Sequence, residues 1–180
     1  MTEDRMKWIK GLFLSLCCLW FLGLRGSAEY CQERQLRTRD IVSQSRITVI
    51  SNEGWVDSGI SVFEDDEIYF QAAGVISLQR GNPIAYCGPN GYDLKTVQQP
   101  IRDRNIGALI GKVVKLISIE IDEETKEEIR HEQVEYFYIG SERRVAMPIS
   151  GRLFLGINEN VVGDNSGSFR VTLSFRDIYR

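Results

Sequence analysis

The sequence predicts an all-β fold, a small jelly-roll or β-sandwich of antiparallel sheets. From Arg46 onward, short runs rich in Val, Ile, Phe and Tyr recur between turn residues, which is the pattern of strands joined by tight connections. No long stretch of the sequence shows the 3.6-residue periodicity of an amphipathic helix. The Gly, Asn, Asp and Pro residues between the runs favour two packed antiparallel sheets.

Eight runs are predicted to be strands. In the last of them, Val171, Leu173 and Phe175 alternate with polar residues, so they share one face of a strand with one buried side. The predicted strands span residues 46–51, 59–63, 67–73, 75–78, 108–117, 134–140, 151–157 and 168–175.

Two long stretches interrupt these runs. Residues 79–107 hold too much Gly and Pro for regular structure, including the motif Gly88-Pro89-Asn90-Gly91. Loops of this length in a compact domain are usually functional or disordered. Residues 120–132 are highly charged and are predicted to form either a projecting hairpin tip or a short solvated helix.

The N-terminal segment has the layout of a signal peptide. Arg5, Lys7 and Lys10 precede an apolar run over 11–24, and small residues lead up to Ala28. We therefore predict a signal peptide over 1–28 and an exported mature chain, secreted, periplasmic or at the cell surface. The apolar run is shorter than the roughly 20 residues that cross a bilayer as a helix.

Two alternatives remain for this segment, an uncleaved anchor or a lipid on Cys17 or Cys18. After residue 28, the sequence predicts a polar arm over 29–45 and a single β-sandwich domain over 46–180. Without residues 1–28, the 22 basic and 25 acidic residues of the chain fall to 18 and 23, a formal net charge of −5. That charge argues against nucleic acid and anionic membrane surfaces as partners. We also predict no stable membrane insertion of the mature chain.

Two of the four cysteines remain in the predicted mature chain. Cys31 and Cys87 would form one disulfide in an oxidising compartment. The alternative is a pair of unpaired thiols, since sequence alone does not show that the two residues are close.

Signals for catalysis are weak. The only histidine is His131, within the charged stretch, and the sequence has no nucleophile elbow, phosphate-binding Gly loop or zinc-like Cys/His spacing. We predict that the protein is not an enzyme. The remaining alternative is a carboxylate hydrolase that would depend on Glu159 or Asp93.

The most informative segment is 156–169. It places five carboxylate or amide side chains in one short loop between two predicted strands, namely Asn158, Glu159, Asn160, Asp164 and Asn165. Calcium prefers such carboxylate, amide and backbone oxygens. The alternative is an ordinary turn rich in Asn and Gly.

Several motifs carry a resemblance to a known family. Residues 164–172 (Asp-Asn-Ser-Gly-Ser-Phe-Arg-Val-Thr), with 107–112, 88–91, 55–60 and 70–74 upstream, resemble the bacterial calcium-dependent galactose-binding lectins of the LecA/PA-IL type. The resemblance runs from about residue 46 to 180. It implies a small jelly-roll β-sandwich, a bound Ca²⁺ and a carbohydrate or glycoconjugate as partner, and it leaves homo-oligomerisation open.

Carried over by motif, the resemblance implies a calcium site of five residues. These are Leu78 and Val161 or Val162 through their carbonyls, and Glu159, Asp164 and Asn165 through their side chains. Glu159 stands where the family has Asp, Asp164 stands where it has Asn, and the loop between them is two residues shorter than in the galactose-binding members. All the replacements still offer oxygen.

The implied sugar contacts are Lys95, Gln98, Asn160 and Asp164. In that family, sugar hydroxyls complete the coordination of the metal. Lys95 departs from the family pattern, because a lysine donates hydrogen bonds and accepts none. The alternative is a structural or adhesion domain of the same fold that has lost sugar binding.

Overall fold

The computed structural model describes residues 42–97 and 99–176. The predicted signal peptide, most of the polar arm, Cys31 and Gln98 lie outside these residues. The part of the chain that the structure describes contains no helix long and apolar enough to cross a membrane.

The described residues form nine strands and no helix, so the predicted all-β class is confirmed. The strands are β1 (Val42–Ile50), β2 (Val56–Val62), β3 (Glu67–Ser77), β4 (Tyr86–Cys87), β5 (Leu109–Ile121), β6 (Glu128–Tyr138), β7 (Glu142–Ala146), β8 (Gly151–Ile157) and β9 (Ser166–Arg176).

The strands form two sheets. One has the order β1-β9-β3-β4, with β7 also paired to β3, and the other has the order β2-β8-β5-β6. Every pairing between these strands is antiparallel. The predicted sandwich of antiparallel sheets is therefore confirmed.

The core contains the inward-facing residues of both sheets. Phe70, Phe169 and Leu173 are fully buried on the first sheet, and Val113 and Leu153 on the second. Burial of each such side chain stabilises the fold by about 1.5–3 kcal/mol. The alternation seen in 171–175 is confirmed, since Val171 and Leu173 are buried while Thr172 is partly exposed.

Two separate strands were predicted over 67–73 and 75–78. The structure has one continuous strand there, β3, so the predicted break between them was wrong. Gly74 lies inside β3 with φ +131, and a Cβ there would lie 2.4 Å from the carbonyl oxygen of Ser168. The glycine allows β9 to approach closely, so it marks a tight crossing rather than the end of a strand.

Strand β1 begins at Val42, four residues before the predicted start, so the end of the predicted polar arm is part of the sheet. Strand β7, which sequence patterning missed, reads Glu-Arg-Arg-Val-Ala and buries little of its surface. It lies at an edge of β3, where one paired side suffices and no alternating apolar pattern is required.

The charged stretch 120–132 is a hairpin and not a helix. Strands β5 and β6 pair as far as Ile121 and Glu128, whereas β8 pairs with β5 only over residues 109–114. Residues 116–132 therefore project as a two-stranded ribbon. The carboxylate of Asp122 accepts hydrogen bonds from the backbone of Glu124 and Thr125 at 2.8 Å, which closes the turn.

Candidate metal and carbohydrate site

The candidate site is the connection between β8 and β9. Strand β8 belongs to one sheet and β9 to the other, so residues 158–165 cross from one layer of the sandwich to the other. Ser166 pairs with Ser77 at the end of β3, and Leu78 follows directly. The fold thus brings the predicted carbonyl of Leu78 to the same end of the first sheet as Asn165.

Asn165 lies at the end of this connection, and its side chain is enclosed. It is fully buried, and its Nδ2 donates to Oε2 of Glu159 at 2.6 Å and to the carbonyl of Ser51 at 3.3 Å. Its Oδ1 is buried with no hydrogen-bond partner. A buried acceptor without a partner is costly, so this oxygen is available to a cation or to a hydrogen-bond donor.

Glu159 carries a negative charge in a partly buried position. Burial raises the pKa of Glu159, the hydrogen bond from Asn165 lowers it in part, and the nearby charge of Asp164 raises it. A raised carboxyl pKa means that the ionised form lacks compensation. A cation beside Glu159 and Asp164 would supply that compensation.

The segment after β3 is bonded to the same loop. The backbone N–H of Arg80 donates to the Asp164 carbonyl at 2.8 Å, and Nη2 of Arg80 lies 3.4 Å from the Asn165 carbonyl. Neither Arg80 nor Ser51 was predicted as part of the site. Both act through chain segments remote in sequence, so no local motif marks them.

The two carbonyl candidates of the loop differ in their surroundings. The carbonyl of Val162 accepts a hydrogen bond from the N–H of Asn165 at 3.1 Å, which closes a turn. Val161 is 71% exposed. The loop thus leaves Val161 at the surface, between Glu159 and Asp164 in the sequence.

The residues present fit a calcium ion by their donor chemistry. Within 42–97 and 99–176, no three His, Cys, Asp or Glu side chains form a metal-binding group. A cation here would therefore need amide and backbone oxygens as well as the carboxylates of Glu159 and Asp164. Calcium accepts such mixed oxygen sets, and Asn165 Oδ1 is an available amide oxygen.

Asn158 has a different role from the other polar residues of the loop. Its Oδ1 accepts from the N–H of Ile101 at 2.8 Å, and its Nδ2 donates to the carbonyls of Ile101 and Asn105 at 2.9 and 3.1 Å. The hydrogen bonds of its side chain thus hold the loop that precedes β5. The sequence grouped Asn158 with the metal ligands, and the structure makes it an anchor between two loops.

The predicted sugar residues are only partly brought together. Asn160 and Asp164 are exposed at the surface of the β8–β9 connection, and Lys95 is exposed in the loop that Asn158 anchors. Gln98 lies outside the described residues. The neighbouring residue, Gln99, is buried. Its side-chain amide donates to the backbone carbonyls of Ile101 and Arg104, so Gln99 stabilises the loop.

Cys87 lies near Glu159. It is 8% exposed, and burial, followed by the charge of Glu159, raises the pKa of the Cys87 thiol to about 11. The predicted disulfide partner, Cys31, lies outside the described residues, so the pairing stays a prediction.

Comparisons with known proteins found only weak similarity. No protein-family model matches the sequence, and none of the curated proteins matches it. One solved structure, the EclA N-terminal domain, described as a PllA-like lectin, is 17% identical and has a TM-score of 0.49, with 73% of this chain and 95% of that chain covered. A second, from disulfide-linked pili of Bacillus endospore appendages, is 9% identical with a TM-score of 0.22, covering 76% of this chain and 87% of that one. At these levels of similarity, neither structure carries information on function.

Proposed function

We propose that this domain binds carbohydrate in a calcium-dependent manner and does not catalyse a reaction. The observation that carries the proposal is the buried, unpartnered Oδ1 of Asn165 in a side chain that contacts Glu159. An oxygen of this kind, in a loop that also carries the carboxylates of Glu159 and Asp164, suits a hard divalent cation. The motif resemblance supplies the same residues independently of the geometry.

In this proposal, Glu159, Asp164 and Asn165 hold the metal through their side chains, and Leu78 and Val161 contribute carbonyls. The bound calcium would offer open coordination positions to the hydroxyls of a sugar, with a galactoside as the first candidate. Asp164 is exposed, so it can face both metal and ligand. Lys95, Gln98 and Asn160 are proposed to contact the sugar.

Thermal unfolding of the full chain with excess calcium and with chelator tests the metal. A ligand that binds only the native state stabilises it by mass action, by about 2.7 kcal/mol at 100 times its Kd. We expect calcium to raise the Tm by several degrees, and Asp164→Ala, which removes the side-chain oxygens, to abolish most of the rise. The matched control is Asp103→Ala, since the side chain of Asp103 is 76% exposed on another loop, and the calcium response of this variant should be unchanged.

Galactoside binding is tested next, by titration with calcium present and then with chelator. Binding that disappears with chelator supports the proposal. A Tm that is insensitive to millimolar calcium, together with no glycan binding, would instead establish the second candidate.

That second candidate is a structural or adhesion module in which hydrogen bonds alone hold the loop. Two contacts favour it: Asn165 already donates to Ser51 and Glu159, and the Arg80 guanidinium lies against the loop. A built-in cation at this position would partly replace the charge of a metal ion.

A further inference from the structure

A separate groove lies on the outer face of the first sheet. It has a volume of about 670 Å³, and its floor includes Ala72 and Ala73. Its polar lining consists of Arg46, Arg170, Thr172, Gln71, Ser141 and Glu142. We call it the arginine groove. The volume lies in the range of small-molecule sites.

Strand register explains why these residues share one face. Arg46 pairs with Thr172, Thr172 pairs with Gln71, and Gln71 pairs with Glu142. Residues directly opposite one another in a sheet point to the same side. One row of polar side chains therefore crosses four strands, from an arginine on β1 to a glutamate on β7.

The second arginine belongs to the adjacent row. Arg170 lies two residues before Thr172 on β9, which makes it a diagonal neighbour of Arg46, at roughly 7–8 Å between backbones. Both arginines are exposed. None of the ion pairs in the described part of the chain involves either of them, so two guanidinium forks are available at one end of the groove.

A small residue keeps the space between these side chains open. Ala73 lies directly opposite Arg170 on β3 and is exposed. A long side chain at this position would fill the groove, whereas the alanine methyl leaves a floor on which a ring can lie.

The far end of the groove has the opposite chemistry. The carboxylate of Glu142 accepts a hydrogen bond from the hydroxyl of Tyr69. Between the two ends, the side chains of Gln71, Thr172 and Ser141 can both donate and accept. A complementary ligand thus carries an anionic group at the arginine end and hydroxyl groups along the rest of its length.

We propose that the arginine groove binds a short acidic saccharide, with a carboxylate held by Arg46 and Arg170 and hydroxyls facing Gln71, Thr172 and Glu142. Guanidinium and carboxylate form paired, charge-assisted hydrogen bonds. The site is distinct from the candidate calcium site, because Arg170 lies five residues beyond Asn165, about 16 Å along an extended chain. Its ligand binding requires no metal.

The position of the groove disfavours a peptide ligand. Strand β9 is paired with β1 on one side and with β3 on the other. Its backbone hydrogen bonds are therefore taken, and no strand can be added there. Along β9, the groove therefore offers side-chain contacts only.

Titration of the full chain with trigalacturonic acid tests the proposal, with chelator present so that the calcium site cannot contribute. The control ligand is its methyl ester, which keeps the sugar backbone and lacks the carboxylate charges. We expect binding to the acid, weakened by added salt, and at least tenfold weaker binding to the ester. Equal binding of acid and ester, or no binding of the acid at millimolar concentration, would overturn the proposal.

Variants locate the site. Arg46→Gln and Arg170→Gln should each weaken binding about tenfold, the loss expected for a charged hydrogen-bonding group, and the double variant should abolish it. Arg130→Gln, on the distant ribbon, is the matched control and should bind normally. Circular dichroism checks the fold, which these exposed positions should leave unchanged. Undiminished binding by the double variant, or a preference for a zwitterionic peptide over the saccharide, would contradict the assignment.

Discussion

Nδ2 of Asn165 donates a hydrogen bond to Oε2 of Glu159 at 2.6 Å, which ties the last residue of the β8–β9 connection to its second. The same nitrogen reaches the carbonyl of Ser51 after β1. This one amide therefore fixes both the shape of the loop and its position against the first sheet. The arrangement of the residues in the candidate site depends on this amide.

Removal of this amide should destabilise the fold. Asn165→Ala deletes two hydrogen bonds in a fully buried position and leaves the Ser51 carbonyl without this donor, so we expect a loss of about 2–3 kcal/mol. Urea unfolding with chelator present measures it. Asn160→Ala, at an exposed position in the same loop, should change stability by less than about 0.5 kcal/mol. Equal effects of the two substitutions would contradict this account.

Glu159 should make the metal-free fold less stable as the pH rises. Its pKa is raised in the folded chain, so between the unfolded value, about 4.3, and the raised value, the folded chain binds more protons than the unfolded chain. Stability attributable to Glu159 then falls as pH rises through that window and stays reduced above it.

Glu159→Gln tests this dependence. With chelator, the free energy of unfolding of the wild type minus that of the variant should become more negative with rising pH. Excess calcium should reverse the trend, because the metal compensates the ionised carboxylate. A difference that is constant with pH under both conditions would remove Glu159 from the site.

Two glycines should respond in opposite ways to the same substitution. At Gly151 an added Cβ would lie 2.4 Å from the backbone oxygen of Val114, whereas at Gly163 nothing lies within 4 Å. We expect Gly151→Ala to cost about 1–3 kcal/mol through overpacking. Gly163→Ala should be neutral or slightly stabilising, because it restricts the unfolded chain. Denaturant unfolding with chelator compares the two.

The ribbon should be dispensable for folding. Residues 117–131 extend beyond the part of β5 that β8 covers, and a two-stranded hairpin contributes little stability alone. Replacing them with Asn-Gly joins Leu116 to Glu132, which already pair, through a favoured two-residue turn. We expect a shift in Tm of only a few degrees. Loss of cooperative unfolding would show instead that the ribbon supports the sandwich.

Sequence pattern predicted the fold well where one side of a strand is buried. The alternation in β9 is legible because Val171 and Leu173 face the core. The sequence pattern failed at Gly74. A glycine that allows two backbones to approach closely looks, in sequence, like the end of a strand. The pattern also failed for β7, whose edge position makes no demand on residue type beyond Val145, the residue that packs on the core.

For the site, the sequence identified the loop and not its supports. Glu159, Asp164 and Asn165 are close in sequence, so their grouping was visible. Ser51 and Arg80 reach the loop only through strand pairing, which no local pattern encodes. Asn158 was grouped with candidate oxygen ligands by residue type, whereas in the structure its side chain bonds to the backbone groups of Ile101 and Asn105.

The contacts that shape the candidate site join residues 114 and 85 positions apart in the chain. Local segments cannot therefore assemble it, and a chain that ends before Asp164 lacks it altogether. Contacts of such long range require the intervening chain to be brought together, and they depend on the pairing of β9 with β1 and β3. A ligand of this site would consequently bind only the folded β-sandwich. It would stabilise the folded state and would not guide the chain toward it.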